Sequence, residues 1–136
     1  YFGTNKKSGI QLINFNSHDL KDKKQNFHNI KNLWLFKRIL IWQFGVIYKC
    51  IFGKFDKVIF LGDMYCISTW IASLILRFRR KKIIFWGHGF YGNENFLKKK
   101  VRKTFFKLAD FHLVYNKRAK KMMIKQNFNE EKIFVI

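Results

Sequence analysis

Among the side chains able to bind or move a proton near neutral pH, His88 has the most informative setting. It stands between Gly87 and Gly89, directly after Lys81-Lys82-Ile83-Ile84-Phe85-Trp86. Four apolar residues in succession suit a strand buried on both faces, as in a parallel sheet. The glycines permit backbone angles and close approaches closed to other residues. An imidazole is therefore predicted just past the carboxyl end of a strand, where open α/β sheets hold their ligands. A plain turn carrying a histidine of structural use only is the competing reading.

Other residues fall at equivalent places. Gly62 and Asp63 follow the apolar run 57–61, Asn93 and Glu94 follow the Gly-His-Gly turn, and Tyr115 and Asn116 stand at the end of the run 111–115. With Gly87 and Gly89 they would line one rim as substrate-binding groups. Asp63 and Glu94 are the acids of that rim. Each could accept a hydrogen bond from a substrate, although Glu94 also suits the positive end of a helix dipole and Asn93 reads as an N-cap. Neither GxGxxG nor GxxxxGK[ST] occurs. His18, His28 and His112 lack metal-like spacing, so neither metal nor cofactor is predicted. Cys50 and Cys66 lack a CxxC spacing and read as small buried thiols in a reducing compartment.

The elements that must position these groups can be read from periodicity. Strands are expected at 57–61, 83–86, 111–115 and 132–136. Helices are expected at 68–80, 95–110 and 117–127, the last with a possible Asn116 cap. In the first helix Trp70, Ile71, Leu74, Ile75 and Phe78 share a face. In the second the stripe is Leu97, Val101, Phe105, Leu108 and Ala109. Upstream, a short strand at 10–15, a basic run at 21–24 and a helix at 33–52 ended by Gly53 are expected. The alternation β-α-β-α-β-α-β predicts an α/β fold, a Rossmann-like parallel sheet with helices on both faces. The chain starts at Tyr1 and ends at Ile136 inside a strand pattern. Termini usually lie at surfaces, so residues 1–136 are expected to be a single partial domain of a longer protein.

The 136 residues carry 28 Lys and Arg against 8 Asp and Glu, a net charge of +20. Such an imbalance predicts an anionic partner. The runs 77–82, 98–103 and 117–121 recur without matching acids, which makes Arg79, Arg80, Lys98, Lys99, Arg102 and Lys103 candidates for a membrane or anion surface. Nucleic-acid binding would need aromatics exposed between the cations, whereas these aromatics fall in strands and on apolar stripes. The apolar window 33–52 contains Lys37, Arg38 and Lys49, which argues against a membrane span.

From Lys57 onward the ordered pieces FLGD, STW, IIFWGHG, VRKTFFKLAD, FHLVYN and EEKIFVI resemble the N-terminal domain of family 4 glycosyltransferases, enzymes of the GT-B fold. The resemblance implies the acceptor-side half of a bacterial enzyme of cell-surface polysaccharide or lipopolysaccharide assembly. Such an enzyme moves a sugar, with retention, from a nucleotide-sugar donor to a glycan or lipid-linked acceptor. His88 would correspond to the histidine that reaches the donor sugar. The nucleotide-binding C-terminal domain is missing from the matched pieces, so this segment alone is expected to be inactive. The family habit of docking on anionic membranes implies a cytoplasmic protein, peripheral on the inner face of the membrane. A basic nucleic-acid-binding module and a non-catalytic membrane-peripheral scaffold are the alternatives.

Overall fold

A computed structural model of the chain describes residues 2–3, 29–37 and 39–136. The expected strand at 10–15 and basic run at 21–24 lie outside the described residues. Strand β1 (Phe2–Gly3) pairs in parallel with β2 (Asn29–Ile30). The window expected to be one helix from 33 to 52 is instead an antiparallel hairpin, β3 (Asn32–Leu35) and β4 (Leu40–Gln43), followed by α1 (Val46–Phe52). The hairpin residues are rich in aromatic and branched side chains that suit a pleated surface. Phe36 and Lys37 turn the chain with positive φ, and Gly45 (φ 80°) opens the short helix. Gly53 ends that helix, as expected.

The remainder follows the predicted alternation. It runs β5 (Lys57–Leu61), α2 (Ile67–Phe78), β6 (Lys82–Gly87), α3 (Phe96–Phe106), β7 (Phe111–Val114), α4 (Lys117–Ile124) and β8 (Ile133–Val135). These strands form one parallel sheet in the order β5-β6-β7-β8. Sequential order with right-handed crossovers sends successive helices to the same face. Accordingly, Trp70 of α2 meets Phe105 of α3, Phe105 and Phe106 meet Phe85 of β6, and Met123 of α4 borders Phe85, His112 and Val114. The expectation of helices on both faces is thus corrected for the described residues. The opposite face carries Ile59, Leu61, Ile84, Trp86, Phe111, Leu113 and Phe134, and there Ile59 is 57% and Leu61 68% exposed.

Helix rotation also differs from the stripes read in sequence. In α2 the buried residues are the small ones, Ser68, Thr69, Ala72 and Ser73, with Leu76; Ile71, Leu74 and Phe78 face out. Small side chains let α2 lie close to the sheet and to α1. The Ser68 hydroxyl accepts from Gln43 N at 3.1 Å, and Trp70 Nε1 donates to Met64 O at 2.9 Å. In α3 the inward residues are Arg102, Phe105 and Phe106, while Leu97 and Val101 are exposed. Asn95 caps α3 by accepting from Lys98 N, two residues later than the expected Asn93. Asp110 receives Ile83 N at 2.9 Å through its carboxylate, closing the start of β6 against β7. Both thiols are buried. Burial pushes the Cys50 thiol up to about 11, against the opposing pull of Arg79.

His112 is a buried titratable group of the core, with its ring against Phe85, Phe106 and Phe128. Burial pushes its pKa from 6.5 down to about 4. The folded state therefore resists a proton that the unfolded chain accepts, so its stability is complete above pH 6.5 and declines as pH falls toward 4. About 3 kcal/mol should be lost across that window. Urea unfolding at pH 7 and pH 4 should show this loss in the wild type and a much flatter dependence in His112→Leu. Equal slopes in the two proteins would remove His112 as the cause.

Candidate functional site

The carboxyl ends of β5, β6 and β7 meet at one lip. Register places Leu61 beside Trp86 and Gly87 beside Val114, and Gly62 N donates to Trp86 O at 2.8 Å. A Cβ on Gly87 would lie 3.7 Å from Gly62 N, an ordinary contact, so the space alone does not demand glycine there. Gly89 is different: its φ is +67° and it packs on Met123 and Ala119 of α4. This residue turns the chain after His88 and seats the following loop on the helix layer.

His88 is exposed, as the reading of a strand-end loop requires. Its ring lies 4.6 Å from that of Tyr115 and 6.1 Å from that of Tyr91, between centroids. Tyr115 in turn lies 5.9 Å from Trp86. The structure thus brings together His88, Tyr115, Gly87 and Gly89 from the predicted set. It adds Trp86, read in the sequence only as a strand residue, and Tyr91, which the sequence did not single out. Trp86 could have been found from strand alternation, since it shares the outer face with Ile84; Tyr91 had no comparable signal.

Other predicted residues are engaged elsewhere. Asp63 Oδ1 accepts from Tyr65 N at 2.9 Å, shaping the turn after β5, and the residue borders a cavity of about 340 Å³ lined also by Trp34, Gln43, Cys50 and Phe60. Asn116 Oδ1 accepts from Ala119 N at 2.8 Å and so caps α4. Asn93 is exposed on the loop.

Glu94 and Arg102 require correction. Arg102, expected on a cationic surface, is only 6% exposed; its Nε donates to Glu94 Oε1 at 2.5 Å. The pair occupies the inward side of α3, and the guanidinium sits 4.8 Å from the Tyr91 ring centre. Burying an unpaired arginine would be costly, so Glu94 is committed to it rather than standing at the rim. Glu94 Oε2 is buried and has no partner among the described residues. Arg79 is likewise spent on structure, donating to the carbonyls of Cys50 and Gly53 at the end of α1. Arg80, Lys98 and Lys99 remain exposed, and Lys103 is half-buried.

Among the described residues, no three His, Cys, Asp or Glu side chains converge as a metal site would require, and no helix is long and apolar enough to cross a membrane.

Arg102→Met should cost about 3–5 kcal/mol, because it strands a buried carboxylate. The double variant Glu94→Gln with Arg102→Met should recover most of that loss in urea unfolding. Additive losses would mean the two side chains do not act as a pair. No protein-family model, curated protein or solved structure matches this chain.

Proposed function

We propose that this chain is the acceptor-side half of a retaining glycosyltransferase that works at an anionic membrane face. Such an enzyme passes a sugar from a nucleotide-sugar donor to a glycan or lipid-linked acceptor in cell-surface polysaccharide or lipopolysaccharide assembly. The observation that carries the reading is the exposed His88 ring at the carboxyl lip of a parallel sheet, on a loop anchored by Gly89. Open α/β sheets hold ligands outside the carboxyl ends of their strands where the strand order reverses, and since β5-β6-β7-β8 run in sequence, the reading rests on the exposed ring itself. The resemblance from Lys57 to Ile136 supplies the chemistry. In this reading His88 contacts the donor sugar and hydrogen-bonds oxygen atoms that gain charge as the glycosidic bond breaks. A second domain would hold the nucleotide.

The membrane part of the reading rests on α3. Phe96 is 81% and Leu97 68% exposed in its first turn, followed by Lys98, Lys99 and Lys100. Apolar side chains beside lysines are what an interfacial helix presents to lipid. Each basic residue near an anionic surface adds about 1 kcal/mol, and each large apolar side chain that enters adds roughly 1.5–3 kcal/mol. Contrary to the expectation that the aromatics are withdrawn from the cations, Phe96 beside these lysines and Phe78 (95% exposed) in the run 77–82 leave rings between basic residues, so the vesicle and DNA arms of the binding experiment separate this reading from a nucleic-acid module.

In the full-length protein that carries this chain, His88→Ala should lower sugar transfer from a panel of labelled nucleotide sugars to membrane lipid extract by about 10²–10³-fold, with melting unchanged. Transfer at the wild-type rate would take His88 out of the mechanism. Sedimentation with phosphatidylglycerol vesicles should weaken at least tenfold in Phe96→Ser with Leu97→Ser. Wild-type protein that ignores the vesicles and binds DNA instead, steeply dependent on salt, would move the chain to the nucleic-acid class.

A further inference from the structure

Four rings stand in a row along the lip. Trp86 lies 5.9 Å from Tyr115, Tyr115 4.6 Å from His88, and His88 6.1 Å from Tyr91. All four are exposed. Aromatic rings left in water at the end of a sheet are unusual candidates for packing, because each could bury more area inside. Here three of the rings are held, each by a different constraint. Trp86 belongs to β6 and is fixed by its ladder with β5 and β7. Tyr115 is pinned between Val114 of β7 and the Asn116 cap of α4. Tyr91 rests on the Arg102 guanidinium, itself locked by the buried bond to Glu94.

We propose that Trp86, Tyr115, His88 and Tyr91 form a stacking ledge for an oligosaccharide. It deepens the glycosyl-transfer reading, and the ligand's status as the acceptor rests on that reading. The slightly positive C–H groups on one face of a sugar ring are attracted to the negative face of an aromatic ring. The tilts between neighbouring rings are 54°, 47° and 33° along the row. A flat nucleobase can lie parallel to only one such facet. Successive sugar rings of a glycan are turned relative to one another, and their spacing is comparable with the separation of these facets. The imidazole N–H and the two phenolic hydroxyls add donors and acceptors for sugar hydroxyls. Arg102 and Glu94 act as positioning residues for Tyr91; they do not touch the ligand.

The test is a printed array of bacterial oligosaccharides probed with the tagged chain, alongside a titration with UMP. Wild type should retain a subset of glycans. Trp86→Ala and Tyr115→Ala should each weaken retention about tenfold, while Tyr115→Phe stays within about threefold of wild type. Overlapping melting curves would confirm that the substitutions at exposed positions leave the fold intact. Should Tyr91→Ala melt early, the other two positions decide. An array on which wild type retains nothing, or on which the alanine variants match it, overturns the ledge. So does UMP binding that those variants abolish while no glycan binds. The array involves no donor and no transfer. The ledge can therefore fail while the labelled-sugar assay succeeds, and that assay can fail while the ledge holds.

Discussion

Phe105 and Phe106 are adjacent in sequence, and both must leave water, which a helix allows only by turning the sector between them toward the sheet. Phe85 receives both, with Phe105 stacked on it at 4.5 Å and Phe106 edge-on at 6.3 Å. That rotation has consequences along α3. Arg102, one turn earlier, is carried inward, and a buried guanidinium needs a carboxylate. Glu94 supplies it from the preceding loop, and the loop is thereby tied down at its far end while Gly89 anchors its start on α4. Tyr91 lies between these anchors and is held beside His88. The arrangement of the lip thus follows from where two phenylalanines in the core must go.

The same rotation explains what is exposed. Turning Phe105 and Phe106 inward leaves Phe96, Leu97 and Val101 on the solvent side among lysines. In α2 the sheet and α1 are met by Ser, Thr and Ala, and the larger Ile71, Leu74 and Phe78 are turned away. Both helices therefore present apolar side chains within a strongly cationic surface. For a chain of net charge +20, self-association through such faces is opposed by like-charge repulsion, whereas an anionic surface would satisfy both components.

How much of this could be read from the sequence depends on the kind of signal. The four sheet strands are short apolar runs, three of them bounded by Gly, Asp or Asn, and each appears within a residue or two of its expected place. The hairpin of residues 32–43 was hidden because a continuous apolar window has no period that separates strand from helix. Stripe assignment failed in α2 and α3 for a related reason. Periodicity finds the most apolar face, but close packing on a sheet favours small residues, and a paired arginine is not apolar at all. Glu94 was visible as an acid near a helix start, yet its partner lies eight residues on and faces inward only because of Phe106. Tyr91 depends on both, so nothing local in the sequence marks it.

The lip is left with a particular chemical character. Its two acids are committed, Asp63 to the turn after β5 and Glu94 to Arg102. Asn116 is committed to capping α4. What faces solvent around His88 is therefore mostly ring surface, together with hydroxyl and imidazole edges. A surface of this kind discriminates by shape and by C–H contact more than by charge, which suits a polyhydroxylated ligand with apolar ring faces. Positive charge stands on α3, on α4 and at the end of α2, and the exposed Lys117 and Arg118 bring part of it to the lip directly after Tyr115 and Asn116. The lysines of α3 and the cations at the end of α2 lie on segments that carry none of the four rings, whereas Lys117 and Arg118 adjoin them. Altering Lys98, Lys99 and Lys100 should change where the protein resides while leaving the rings free to set what it binds.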